Sequence, residues 1–157
     1  MQSMKFKVIT KLFVTAGLGS LILHAPDLRA EAPLGHYTEA NATVRDTRTG
    51  LIWQQTTTGG LTYTWDAANS LCSGLGSGWR LPTAKELLTL VDVQAYRAEA
   101  TTAMIDTAAF PATWVDVGWW SSTPLVAANS EAWALDFSDG ELYVSDKAGE
   151  LHARCVR

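Results

Sequence analysis

Two cysteines, Cys72 and Cys155, constrain this chain more than any other feature. They stand 83 residues apart. What they do depends on the redox compartment, and the first thirty residues speak to that. Lys5, Lys7 and Lys11 precede an apolar run over 12–23, broken only by Gly, Thr and Ser. Small residues follow at Ala25, Ala30 and Ala32. That order is the pattern of a secretory signal peptide, and a run so short does not span a bilayer. The expectation is cleavage after Ala30, no transmembrane segment afterwards, and a product in the periplasm, on the cell surface or outside the cell. In an oxidising compartment an even pair of cysteines is most simply a disulfide. In the chain-entropy account, closing a loop of this length stabilises the fold by roughly 4–5 kcal/mol. The two also lack the C-x-x-C spacing of a redox site.

Of the 12 basic and 16 acidic residues, Lys5, Lys7, Lys11, Arg29 and Asp27 precede residue 31, leaving 8 against 15, a net charge of −7. An acidic body is a poor partner for nucleic acid or polyanionic sugar. The length that remains suits one domain. Residues 31–43 are polar and irregular and read as an exposed lead-in, with the domain proper over 44–157. VRDTRTGLIWQQ (44–55) reads as two short strands around Asp46–Gly50, with Leu51 and Trp53 on one face. Trp65, Ala68, Leu71, Cys72 and Leu75 recur at helical spacing and predict a helix over about 65–75 with Cys72 on its buried stripe. In GWRLPTAKELL (78–88) the residue before Pro82 is pushed out of the helical region, and Thr83 with Glu86 has the spacing of a capping box. Leu87, Leu88, Leu90 and Val91 are expected to bury this second helix, leaving Arg80 and Lys85 without a local structural task. Residues 93–118 read as a long ordered loop. Strands follow at WWSST, EAWALDF, ELYVS and HARCVR, with a hairpin turn at Ser138-Asp139-Gly140. Two helices packed on a small, mostly antiparallel twisted sheet make the class α+β.

The order VRDTRTGLIWQ, W-x₂-A-x₃-C-x₂-L, GWRLPTAKEL, ID-x₃-FP, WWSST, AWALDFSDG and RCVR resembles the bacterial exported domain found at the C-terminus of Legionella collagen-like adhesins, the Lcl C-terminal family. The resemblance runs from about Val44 to Arg157. It implies a C-type lectin-like fold, more distantly similar to the formylglycine-generating sulfatase-modifying domain, in which a cysteine of the first helix bridges to the last strand. Cys72 and Cys155 occupy those places. It also implies interaction with extracellular polysaccharide.

The chain lacks the Glu-Pro-Asn or Gln-Pro-Asp and Trp-Asn-Asp triplets of calcium-dependent sugar sites, and Asp136–Glu141 reads as an acidic hairpin turn rather than a cation loop. No metal and no cofactor are expected. After residue 30 only His36 and His152 remain, a poor setting for zinc. No G-x-S-x-G or P-loop is present, and Ser121 and Ser122 have no evident His and Asp partner. Trp53, Trp65, Trp79 and Trp133 fall on predicted buried stripes and are expected in the core. Trp119 and Trp120, adjacent in one strand, point to opposite faces, so that one is expected to be accessible. The expected ligand-binding face is Trp114, Asp116, Trp119, Trp120 and Asn129. The function that follows is a non-catalytic exported module recognising a glycan or an envelope or extracellular protein. The rivals are an envelope enzyme using Asp136 and Asp139 as an acid pair, and a structural envelope component without a small ligand.

Overall fold

The computed structural model describes residues 35–57, 59–93 and 103–157. The expected leader lies outside these residues, as do residues 94–102 of the long loop. Three short strands come first: β1 (Tyr37–Ala40), β2 (Thr43–Asp46) and β3 (Ile52–Gln54), antiparallel in that order. The first strand falls where an irregular lead-in was expected. Asn41 and Ala42 make the tight turn from β1 to β2, both with positive φ, the geometry a two-residue hairpin needs. The next turn is organised by Asp46, whose carboxylate accepts from Arg48 N, Thr49 N and Thr49 Oγ1. Val44 and Trp53 point inward from this sheet and are fully buried.

Helix α1 (Trp65–Gly74) begins at Thr64, whose hydroxyl accepts from Ala67 N. Ala68 and Cys72, four residues apart, are its buried stripe. Leu75, expected on that stripe, is the C-cap residue and is exposed, because the helix ends before its side chain can turn inward. Helix α2 (Ala84–Leu88) carries the capping box: Thr83 Oγ1 accepts from Glu86 N, and Glu86 accepts from Thr83 N at 2.7 Å. Arg80, left without a task by the sequence, grips the same carboxylate with two hydrogen bonds of 2.7 and 2.6 Å. Leu87 and Leu90 are buried, whereas Leu88 is exposed and Val91 only half-buried.

The second sheet holds β4 (Trp119–Pro124), β5 (Glu131–Leu135) and β6 (Leu142–Asp146), antiparallel in that order. At the start of β4 it is buried on both faces. Trp119 packs with Trp53, Leu87, Leu90, Phe110 and Phe137. Trp120 packs with Ala68, Cys72, Leu81, Ala132 and Ala134. Both tryptophans are fully buried, which corrects the expectation that one would be accessible. Of the four tryptophans expected in the core only Trp53 is fully buried; Trp65 and Trp79 are half-buried at the rim of the Trp120 cluster, and Trp133 is half-buried.

The last residues were expected as a strand. They form instead a buried strap that changes partner every few residues: Leu151 bridges Tyr63, His152 bridges Trp119, and Val156 bridges both Trp53 and Arg80. Alternation along the strap sends Ala153 and Cys155 into the Trp120 cluster and Val156 into the Trp119 cluster. The Cys72–Cys155 disulfide closes from helix to strap with a Cα–Cα distance of 5.2 Å. The class is α+β, two helices with two small antiparallel sheets.

Candidate functional site

Two loops meet at one edge of the second sheet. One, residues 59–63, connects the first sheet to α1, and the other, 113–118, leads into β4. Leu61, Trp114 and Val115 are exposed there, and the Trp114 side is 43% accessible. Exposed apolar side chains at adjoining positions are informative where scattered ones are not. Gly60 lies beneath the indole. Its φ is +76°, and a Cβ built on it would sit 3.1 Å from Trp114 Cε2, so the ring rests directly on the backbone of the facing loop. Asp116, on the same loop as Trp114, holds its carboxylate in solvent, with its side chain 67% exposed.

What fixes this face lies underneath it. His152, on the strap, is 1% exposed. Its Nε2 is 2.8 Å from Asp116 Oδ1 and its Nδ1 is 3.1 Å from the Leu61 carbonyl oxygen. The bond to His152 holds the Asp116 carboxyl below the usual aspartate range. Two residues on, Arg154 donates from Nη1 to the Gln55 carbonyl at 3.0 Å and from Nη2 to Thr113 Oγ1 at 2.9 Å. Burial pushes its guanidinium down to about 9, partly opposed by Tyr37, so it is still cationic at neutral pH. The ring of Trp119 packs against both of these side chains. Its centroid is 5.0 Å from that of His152 and 5.0 Å from Arg154 Cζ, and Phe110 faces the same guanidinium at 4.8 Å. Trp119 Nε1 donates to the Trp114 carbonyl at 2.9 Å. Thr113, Trp114 and Asp116 are thus each held by a different buried side chain.

Of the residues expected at a binding face, Trp114 and Asp116 come together on an exposed surface. Trp119 is a support below it, and Trp120 points to the other side of the sheet, where its Nε1 donates to the Tyr63 carbonyl. Neither can offer a ring face to a ligand. Asn129 lies beyond the far end of β4, a strand of six residues and so about 20 Å long. Its carbonyl there accepts from Lys147 Nζ, which in turn lies 4.4 Å over the Trp65 ring. Leu61, His152 and Arg154 were missed. Alternation in HARCVR would have put His152 and Arg154 on one side of the chain, but nothing local marks that side as buried.

The groups weighed for catalysis have structural partners. Ser121 Oγ donates to the Trp133 carbonyl at 2.6 Å. Asp136 Oδ1 accepts from Ser138 N and Asp139 Oδ1 from Glu141 N, closing the hairpin turn with Gly140 at φ +75°. Among the described residues no group of three or more His, Cys, Asp or Glu could hold a metal ion. None of the described helices is long and apolar enough to cross a membrane.

No curated protein matches the chain. Among solved structures, the crystal structure of botrocetin is similar over 81% of this chain and 98% of that chain, at 11% sequence identity and a TM-score of 0.40. The Lcl C-terminal domain family matches residues 42–157, almost all of the described molecule. The chain belongs to the Lcl C-terminal domain family.

Proposed function

We propose that the chain is an exported, non-catalytic binding module that takes a glycan on the Trp114 face. The observation that carries this is the exposed indole beside a solvent-facing carboxylate, on two loops held from below. An aromatic face stacks on the apolar side of a sugar ring, while the outward oxygen of Asp116 accepts from its hydroxyls. The acidic net charge favours a neutral or cationic sugar over a sulfated one. Membership of a family known from adhesins supports the reading, and a buried disulfide fits an exported protein. The bridge from first helix to C-terminal strap supports a C-type lectin-like fold. The partners found for Ser121, Asp136 and Asp139 speak for binding rather than turnover.

A glycan array at physiological salt is the test, run with the wild-type chain and Trp114→Ala. We expect binding to at least one neutral or amino-bearing glycan, weakened at least about tenfold by the substitution, equivalent to ~1.4 kcal/mol, with thermal stability unchanged. Binding that survives Trp114→Ala moves the site elsewhere. No glycan bound at all favours a second reading, a protein partner, for which the exposed Leu61 and Val115 would be the apolar contacts.

A further inference from the structure

His152 faces acceptors on both sides. A neutral imidazole has one N–H and one lone pair, whereas the imidazolium has two N–H groups. The Asp116 carboxylate and the Leu61 carbonyl can only accept. Both hydrogen bonds are therefore made by the protonated ring alone. We infer that His152 is a positioning residue for the Trp114 face, a protonated clamp that ties the Leu61 loop to the Asp116 loop and lets go of one when it loses its proton.

Which bond is given up follows from strength. A hydrogen bond to a carboxylate is stronger than one to a neutral carbonyl. The neutral ring keeps its proton on Nε2 for Asp116 and turns a lone pair toward Leu61. An oxygen and a nitrogen lone pair then oppose each other at 3.1 Å beside a ring that is only 1% exposed, and the Leu61 loop moves away. Gly60 moves with it, and Gly60 is what the Trp114 ring rests on. Proton loss at a buried ring thus reaches the exposed indole through one peptide.

The charges around the ring come from several segments. Asp116 sets a negative charge at its Nε2. Arg154 sets a positive charge against the same Trp119 ring that His152 packs on. Glu150, which accepts from Thr62 Oγ1 at 3.2 Å, adds negative charge next to the Leu61 loop. Tyr143 sets its hydroxyl against Gly118, whose carbonyl accepts from His152 N. The clamp itself needs no ligand. Only its consequence, weaker binding at higher pH, rests on the function proposed above.

The test is an NMR pH titration of the full chain without ligand, reading the His152 ring nitrogens, the Leu61 carbonyl carbon and the Trp114 indole N–H. The expected result is two ring N–H groups at the acid end, one at the alkaline end, and a single common curve for all three signals. His36, whose Nε2 lies 3.1 Å from Asp46 Oδ1, is the internal control, and its titration should leave Leu61 unmoved. In Asp116→Ala a neutral ring can donate from Nδ1 to Leu61 at every pH, so the step at Leu61 should disappear while the fold persists. A His152 ring that holds one tautomer throughout overturns the inference. So does a ring that titrates while Leu61 and Trp114 stay still, or a Leu61 step that survives in Asp116→Ala. Loss of glycan binding in general, with the coupled titration intact, would count against the glycan reading and not against the clamp.

Discussion

Trp114 and Trp119 are five residues apart and do opposite things. Trp114 shows an open ring to solvent, whereas Trp119 is buried against His152 and Arg154 and donates to the Trp114 carbonyl. Trp119→Ala should cost about 3–5 kcal/mol in urea unfolding, since a large core ring is replaced by a cavity. Trp114→Ala should change the same measurement by no more than about 0.5 kcal/mol. Equal losses would mean that Trp114 is packed as a core residue. Gly60 can be probed separately. Its left-handed φ and the close approach to Trp114 predict that Gly60→Ala costs about 1–2 kcal/mol and raises acrylamide quenching of Trp114. The sequence placed both on the expected binding face and could not separate their roles. Both tryptophans sit in one weakly periodic stretch, and exposure is set by chain that arrives from 60 and 152.

At the scale of elements, the second helix is the best case of local control. Five residues are too few to be stable alone. Its start is held by Thr83 and by Glu86, and Glu86 is held by Arg80. The Arg80 guanidinium draws the Glu86 carboxyl down to about 2, and the Thr83 backbone and hydroxyl assist. The folded value lies below the ordinary 4.5, so this stabilisation is complete above about pH 4.5 and is lost as pH falls toward 2. Wild-type urea midpoints should therefore drop through that window more steeply than those of Glu86→Gln; parallel profiles would refute the assignment. Thr83→Ala should cost about 1 kcal/mol at neutral pH. The capping box was legible because its partners are three residues apart. Arg80 was not, since an extended arginine before a proline carries no sign of which carboxylate it will meet.

For the molecule as a whole, the strap and its disulfide join what the chain order keeps apart. Cys72 and Cys155 are both fully buried, and the strap touches the first sheet, the second sheet and the loop before α1. Reductant should leave the native protein oxidised and act only as denaturant exposes the bridge. The reduced chain should then be about 4–5 kcal/mol less stable, read from urea midpoints with and without reductant. Ready reduction under native conditions would show that the strap detaches. The site depends on the same strap, because His152 and Arg154 reach from it to the two loops.

What the sequence determined by itself was short in range: the α1 stripe, the capping box, the strands bracketed by turn residues and the α+β class. It also determined the two cysteines as partners, because only one pairing exists. Each of these depends on neighbours within a few residues, or on a residue type with a single option. Tertiary structure decided which tryptophans are open, what Arg80 and Arg154 bond to, and where a polar histidine is buried. Apart from the Arg80–Glu86 pair, six residues apart, those outcomes depend on contacts spanning 36 to 100 residues, from Asp116 to His152 and from Gln54 to Arg154, over which side-chain periodicity carries no information.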